Sequence, residues 1–194
     1  MGKTRSEEFL KINPCHCCPT LEFDGDDAGA IWESNAVLRY LAVNLPGGEE
    51  LYPADPRMRG KIDMAMDWRQ TGTYACISKN IGYCVFGQFG VKVSEEGAKE
   101  DFATLLTEHF PVLTDVYLKE TKFCFSDTPT IADLAVAPAL TFLKARKNFW
   151  AKVPEAVKDY HARVLEAFPD TKEYFDMLDG MCAGYDGEGA DAEP

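Results

Sequence analysis

The sequence predicts an α+β protein, in which a short β-hairpin near the N-terminus precedes a long helical part. Apolar and polar residues alternate over 20–23, a polar turn covers 24–29, and residues 30–32 supply the returning strand. From Asp55 onward the apolar residues recur at spacings of three and four, which is typical of helices with one buried face. A chain of 194 residues holds one large domain or two small ones.

The composition is that of an ordinary soluble globular protein, with 46% hydrophobic and 27% charged residues. A net charge of −12 argues against binding to nucleic acid or to anionic membranes. No apolar run approaches the roughly 18 residues of a membrane span, and the N-terminus lacks an apolar signal region. We therefore expect no nucleic-acid partner and no membrane span.

The seven cysteines are an odd number in a chain that is too large to need disulfide staples. Without a secretory signal, reduced thiols in a cytosol-like compartment are expected. The predicted location is cytoplasmic, unless an organellar targeting peptide precedes Met1 in the natural protein.

The junction between hairpin and next helix carries the strongest chemical signal. Residues 6–12 form a short amphipathic segment that ends at Asn13-Pro14, because proline disfavours a helical conformation in the residue before it. Pro19 opens the first strand and is a candidate cis proline. Glu33-Ser34 ends the second strand and opens a helix, where free backbone N–H groups and the helix dipole favour an anionic ligand group. The alternative is that Ser34 only caps this helix.

The chain divides at a proline-rich linker, Leu51–Pro56. We predict a first domain over residues 1–50, an all-α domain over 51–182 and an acidic, disordered tail over 183–194. Asp55 and Pro56 are predicted to begin the first long helix as N-cap and first helical residue. The apolar, glycine-interrupted stretch Gly82–Gly90 is predicted to be a loop, either plainly buried or covering a substrate pocket.

Two features of the helical part are predicted to be structural. Thr130 and Asp133 have the spacing of a capping box, and the residues that follow are apolar on nearly all sides, as in a buried helix. His109 lies on the apolar stripe of a helix that Pro111 is predicted to kink, and is expected to be a packed histidine rather than a catalyst.

Several motifs of the first 41 residues form one recognisable pattern. They are Phe9-Leu10, Asn13-Pro14, Cys18-Pro19, Leu21, Glu33-Ser34-Asn35-Ala36 and Arg39-Tyr40-Leu41. Taken together, these motifs resemble the glutathione S-transferase superfamily, and the match is closest to its theta-like and related cytosolic classes. The resemblance covers nearly the whole chain, and its motifs are specific only in combination.

The resemblance implies a thioredoxin-like first domain, here incomplete, followed by the all-α C-terminal domain of the family. It implies that Pro19 is cis, that the backbone of Cys18 pairs with the cysteinyl part of glutathione, and that Glu33 and Ser34 bind the γ-glutamyl end. Cys17 would flank the position of the glutathione sulfur. The family usually has valine where this chain has Cys18.

One departure from the family concerns catalysis. The resemblance begins at the family's second helix, so two strands, one helix and the thiolate-activating residue have no counterpart, and the catalytic residue is unknown. A two-stranded hairpin is only marginally stable by itself. We expect the helical domain, a partner chain or a preceding N-terminal stretch to cover it.

The cysteine-rich segment Cys15-His16-Cys17-Cys18 admits two further interpretations. One of these thiols could form a mixed disulfide with glutathione. The segment also invites a metal interpretation, but ligands this close in sequence cannot easily surround one tetrahedral zinc, and no second Cys/His pair completes four. We therefore expect no metal.

Two functions follow from the resemblance. The first is a transferase, a homodimer in the cytoplasm, which joins the thiol of glutathione to a small hydrophobic electrophile for detoxification. The second is a non-catalytic scaffold or assembly subunit of the same fold.

Overall fold

The chain divides into two compact units, Met1–Ala54 and Asp55–Pro194. The computed structural model of the protein describes residues 2–25, 29–81, 94–187 and 190–194. The division falls inside the predicted linker, because the extended, proline-bearing segment 52–55 lies between two helices. The loop predicted for Gly82–Gly90 lies outside the described residues.

The N-terminal unit contains an antiparallel hairpin with short helices before and after it. Ser6 caps the first helix, since its Oγ accepts a hydrogen bond of 3.2 Å from the Phe9 N–H. Next to the turn of the hairpin, the Phe23 N–H donates a hydrogen bond of 2.8 Å to the Gly29 carbonyl. In chain order the elements are a 3-10 turn Lys3–Arg5, α1 Glu7–Ile12, β1 Thr20–Glu22, β2 Ala30–Trp32, α2 Ser34–Asn44 and α3 Gly48–Leu51.

The C-terminal unit is helical, as predicted. Asp55 caps its first helix by accepting a 2.8 Å hydrogen bond from the Met58 N–H, and Pro56 is the first helical residue. Among the described residues no helix is long and apolar enough to cross a membrane. The elements are α4 Pro56–Trp68, a π-helical turn Arg69–Thr73, α5 Tyr74–Cys76, a π-helical turn Ile77–Ile81, α6 Glu95–Thr104, a π-helical turn Leu105–His109, α7 Phe110–Val112, a π-helical turn Leu113–Tyr117, α8 Ile131–Thr141, a 3-10 turn Phe142–Ala145, α9 Lys147–Lys152, α10 Glu155–Ala167, a 3-10 turn Pro169–Thr171 and α11 Lys172–Ala183.

Pro111 lies inside α7, with a π-helical turn on each side of it. Proline cannot donate the backbone hydrogen bond of a regular helix, and its ring crowds the preceding turn. A wider turn is one of the known ways in which a helix accommodates such an interruption. The interruption expected at Pro111 therefore takes the form of two π-helical turns.

The capping box predicted at the start of α8 is present, and it extends into a buried network. The Asp133 carboxylate accepts hydrogen bonds from the Thr130 N–H at 2.7 Å and the Thr130 hydroxyl at 3.0 Å. Its other oxygen accepts from the Cys124 N–H at 2.9 Å and the Tyr160 hydroxyl at 2.8 Å. Burial raises the pKa of Asp133, and these hydrogen bonds oppose that shift. One side chain thus joins α8, the loop before it and α10.

Two more buried polar side chains have partners that are distant in sequence. Arg146 is fully buried and binds the Glu95 carboxylate through two hydrogen bonds of 2.7 and 2.9 Å. These hydrogen bonds hold the pKa of Glu95 below its ordinary value. His161 is 3% exposed, and its Nε2 lies 2.8 Å from the Thr141 hydroxyl. Each pair links two helical segments across the core.

The last residues of the chain, within the predicted tail, contact α9. The Lys147 N–H, at the start of α9, donates to the Ala190 carbonyl at 3.0 Å, and Ala190 is only 2% exposed. Exposed ion pairs join Lys147 to Asp191 at 3.3 Å and Lys152 to Glu193 at 3.4 Å. Residues 190–194 therefore lie along α9, although such exposed pairs contribute little energy each.

Replacing Asp133 by asparagine should lower the free energy of unfolding by about 2–4 kcal/mol, because an amide places a donor where the carboxylate accepts hydrogen bonds. Urea denaturation followed by circular dichroism measures this loss. Asp127→Asn is the matched control, since exposed Asp127 accepts one backbone hydrogen bond, of 3.3 Å. Equal losses in the two variants would contradict the role of the buried network.

The stability of the protein should fall between pH 6.5 and pH 4 because of His161. Burial lowers the pKa of His161 from 6.5 to about 4, so the unfolded chain binds a proton in this range that the folded chain does not. Unfolding is thereby favoured as the pH falls, by up to about 3 kcal/mol, and this contribution levels off below pH 4. Urea denaturation from pH 4 to 7 should show a weaker pH dependence for His161→Gln; identical curves would contradict the assignment.

Candidate functional site

The register of the hairpin places the two halves of the predicted site at the same end. Thr20 of β1 pairs with Trp32 of β2. Pro19 directly precedes Thr20 and Glu33 directly follows Trp32, so these two residues continue the antiparallel register beyond the last pair. Cys18-Pro19 and Glu33-Ser34, which are separated in the sequence by the 13 residues 20–32, therefore lie side by side.

The segment before β1 presents backbone groups at the surface. The peptide bond between Cys18 and Pro19 is cis, as the sequence resemblance implies, and both residues are exposed. Cys15 is also exposed, whereas Cys17 is half-buried. Cys18 is thus accessible at the surface, directly before the strand.

A buried asparagine holds this segment in place. Asn13 is fully buried, and its Nδ2 donates to the Thr20 hydroxyl at 2.8 Å, the Cys17 carbonyl at 3.2 Å and the Cys17 Sγ at 3.4 Å. Its Oδ1 accepts from the Cys15 N–H at 2.8 Å. From the sequence, Asn13 is identifiable only as a helix stop and as part of the family resemblance. The signal for its role was an amide residue next to a proline, immediately before a cysteine-rich turn.

Glu33, rather than Ser34, occupies the N-cap position of α2. The Glu33 carbonyl accepts the Val37 N–H at 3.0 Å, and the Glu33 side chain forms no capping hydrogen bond. Its backbone has a φ of 73°, which is a strained conformation for a residue with a Cβ. The Glu33 side chain is exposed and Ser34, the first residue of α2, is half-buried. The interpretation of Ser34 as a simple N-cap is therefore wrong.

The start of α2 has the properties of an anion site. The first N–H groups of a helix have no partner within it, and the helix dipole adds partial positive charge there. The Ser34 hydroxyl lies in the first turn, beside the exposed Glu33 carboxylate. This arrangement combines donors for a ligand carboxylate with an acceptor for a ligand ammonium group.

The candidates in the helical unit are packed side chains. His109 lies edge-on to Trp68 with ring centroids 6.0 Å apart, and a Cβ at Gly72 would come within 2.4 Å of its ring. Burial lowers the pKa of His109. Thr130 and Asp133 belong to the buried capping box, as predicted. Within the described ranges no group of three or more His, Cys, Asp or Glu side chains is placed to hold a metal ion.

Comparison with protein families gives a match in the helical unit. Residues 96–176 match the family described as glutathione S-transferase, C-terminal domain. This match identifies residues 96–176 as a C-terminal domain of the glutathione S-transferase family.

Solved structures of glutathione transferases share the fold. Human glutathione S-transferase T1-1 is 22% identical, with a TM-score of 0.75, and the match covers 95% of this chain and 77% of that one. Human glutathione transferase theta-2, solved with glutathione and an unknown ligand, is 22% identical with a TM-score of 0.69, covering 97% and 80%. A glutathione transferase from Bombyx mori is 23% identical with a TM-score of 0.71, covering 94% and 80%. The predicted fold class, a small β-hairpin unit followed by the family's helical domain, is confirmed.

Asn13→Asp should loosen the segment around the cis proline, because a carboxylate cannot donate to the Cys17 carbonyl and the Thr20 hydroxyl. The expected loss is about 2–3 kcal/mol of local stability. Mass spectrometry after a brief thiol-alkylation pulse should show faster modification of Cys17, with little change at exposed Cys15 and Cys18.

The control for this prediction is Asn44→Asp, which removes an exposed 2.7 Å hydrogen bond from the Asn44 amide to the Tyr40 carbonyl in the same unit. Cys17 should be modified at the original rate in this control. An unchanged rate in Asn13→Asp would show that the amide does not organise the segment.

Proposed function

We propose that the N-terminal unit binds glutathione at the hairpin end formed by Cys18, Pro19, Glu33 and Ser34, with Cys17 beside the ligand sulfur. The observation that carries the proposal is the hairpin register, which brings the exposed residues Cys18 and Pro19 next to the start of α2. Theta-2 transferase, which shares the fold, was solved with glutathione.

Each part of glutathione has a matching group in this arrangement. The Cys18 backbone offers one N–H and one carbonyl to the cysteinyl peptide, as a neighbouring strand would. The Ser34 hydroxyl and the first N–H groups of α2 accommodate the γ-glutamyl carboxylate. The Glu33 carboxylate, which is not used in capping the helix, is available for the γ-glutamyl ammonium group.

We propose glutathione conjugation as the activity that this binding serves. The reaction requires a glutathione thiolate, which attacks a small hydrophobic electrophile and displaces a leaving group or adds to a double bond. No described residue is assigned to lower the pKa of the glutathione thiol, so the catalytic residue stays unknown. A cytoplasmic role in detoxification belongs to the same proposal.

A non-catalytic scaffold is the second candidate, and exposed apolar surface favours it. All six residues of β1 and β2 are at least partly exposed, including Leu21, Ile31 and Trp32. Tyr40, Val43 and Leu45 add exposed apolar area, between 38% and 57% exposed, at α2 and its end. A partner chain on the hairpin, or a homodimer, would cover such surface. Light scattering after size exclusion measures the oligomeric state.

Calorimetric titration of the protein with glutathione in reducing buffer tests the binding step. A dissociation constant between about 1 μM and 1 mM would support the proposal. A conjugation assay with an aromatic electrophile then tests the activity. A folded, monodisperse protein that does not bind glutathione would exclude the transferase and leave the scaffold.

Ser34→Ala should weaken glutathione binding by about 1–3 kcal/mol, equivalent to a 5- to 150-fold rise in the dissociation constant, because the ligand carboxylate loses a hydroxyl donor. Calorimetric titration with glutathione measures this change in the dissociation constant. The matched control is Ser94→Ala, which removes the N-cap of α6 in the other unit, where Ser94 accepts a 3.0 Å hydrogen bond from the Gly97 N–H. The control should lose stability but keep its affinity. An equal dissociation constant for Ser34→Ala and the unmodified protein would refute the role of Ser34.

A further inference from the structure

The last helix, α11, has two apolar faces, and only one of them is covered. Phe175, Leu178 and Cys182 are at most 5% exposed and pack into the helical unit. Tyr174, Met177 and Met181 are 56%, 62% and 41% exposed. We call these three exposed residues the Met177 face.

The Met177 face is one continuous stripe. Its residues are spaced by three and by four, so their side chains lie on one side of the helix. The stripe is about 10 Å long, given a rise of about 1.5 Å per residue. The match to the transferase family ends at residue 176, so Met177 and Met181 lie beyond the part of the chain that it describes.

The surroundings of the stripe are strongly acidic. Residues 170–179, around the start of the stripe, contain four aspartates and glutamates and a single lysine. Asp170 and Glu173, in the turn before Tyr174, are exposed. The lysine, Lys172, is already bound to Asp176 at 2.5 Å in the same helix. Asp179 pairs with Lys144 of the 3-10 turn Phe142–Ala145. Among the described residues no ion pair involves Asp170 or Glu173, so this part of the rim carries uncompensated negative charge.

This charge determines what can cover the face. A second copy of the chain, docked through the same helix, would bring two acidic rims together, and within the Debye length of about 8 Å salt screens their repulsion only in part. A partner with lysine or arginine beside its apolar residues would instead gain from the contact. Methionine side chains are flexible and polarisable, so they adapt to apolar partners of different shapes.

We propose that the Met177 face docks a basic amphipathic helix of another protein. The apolar side of the partner packs on Tyr174, Met177 and Met181, and its basic rim faces Asp170 and Glu173. The surface involved is small, which places the affinity in the range of transient complexes, with a dissociation constant of about 10–100 μM. The proposal concerns the helical unit alone and does not depend on glutathione binding.

The test uses a synthetic 18-residue helical peptide with leucines on one side and lysines and arginines on the other. The full-length protein carries methyl-labelled methionine, which gives up to six signals in an NMR spectrum. Titration with the peptide should shift the Met177 and Met181 methyl signals. The signals of Met64, 46% exposed on α4, and of fully buried Met66 should stay in place.

Variants then separate the face from general charge attraction. Met177→Gln with Met181→Gln keeps length and helix propensity but removes apolar area, and should weaken peptide binding at least tenfold in fluorescence anisotropy. Met64→Gln, at another exposed methionine, should leave the affinity unchanged. Glu173→Lys should also weaken binding.

Three results would overturn the proposal. The first is equally tight binding of a scrambled peptide of the same charge, in which the leucines are spread around the helix. This result would show that charge alone is responsible for binding. The second is a shift of the Met64 methyl signal without a shift of the Met177 signal, which would show that the peptide binds elsewhere. The same Met177 and Met181 shifts on simple concentration of the protein, abolished by the double variant, would identify the face as a contact between two copies.

Discussion

The helical unit depends on one buried carboxylate, that of Asp133. A carboxylate in an apolar core is unfavourable unless hydrogen bonds replace its hydration, and Asp133 receives four of them. The donors come from the start of α8, the loop before it and α10, so these three segments have one mutual arrangement in which the group is satisfied. Helices α4, α10 and α11 all pack on α8. The hydrogen bonds of this one group therefore hold α8, on which the other helices pack, in a fixed relation to α10.

In the N-terminal unit, Asn13 has a comparable role at smaller scale. A fully buried amide ties Cys15, Cys17 and Thr20 together without any charge, which leaves the backbone of Cys18 at the surface. The hairpin register then decides what lies beside that backbone, because a shift by one residue would exchange the two faces of each strand. The proposed ligand site is thus a consequence of packing beneath it rather than of the exposed residues alone.

The two proposals for this protein concern separate surfaces and different physical forces. Recognition of glutathione would depend on directional hydrogen bonds and a helix N-terminus, which select a small zwitterionic ligand. Docking at the Met177 face would depend on apolar contact and charge complementarity, which tolerate variation in the partner's sequence. The Met177 face is compatible with both candidate functions, the transferase and the non-catalytic scaffold.

The sequence by itself determined the features that depend on near neighbours. Alternation over a few residues predicted the hairpin, and the spacing of Thr130 and Asp133 predicted the start of α8, because strand and capping signals act over two to four positions. Only the tertiary structure showed that Asp133 also binds Tyr160, that Asn13 anchors the cysteine-rich segment, and that Glu33 rather than Ser34 occupies the N-cap. It also showed that residues 190–194 contact α9. These outcomes depend on which distant donors and acceptors packing brings together, and a local pattern contains no information about that.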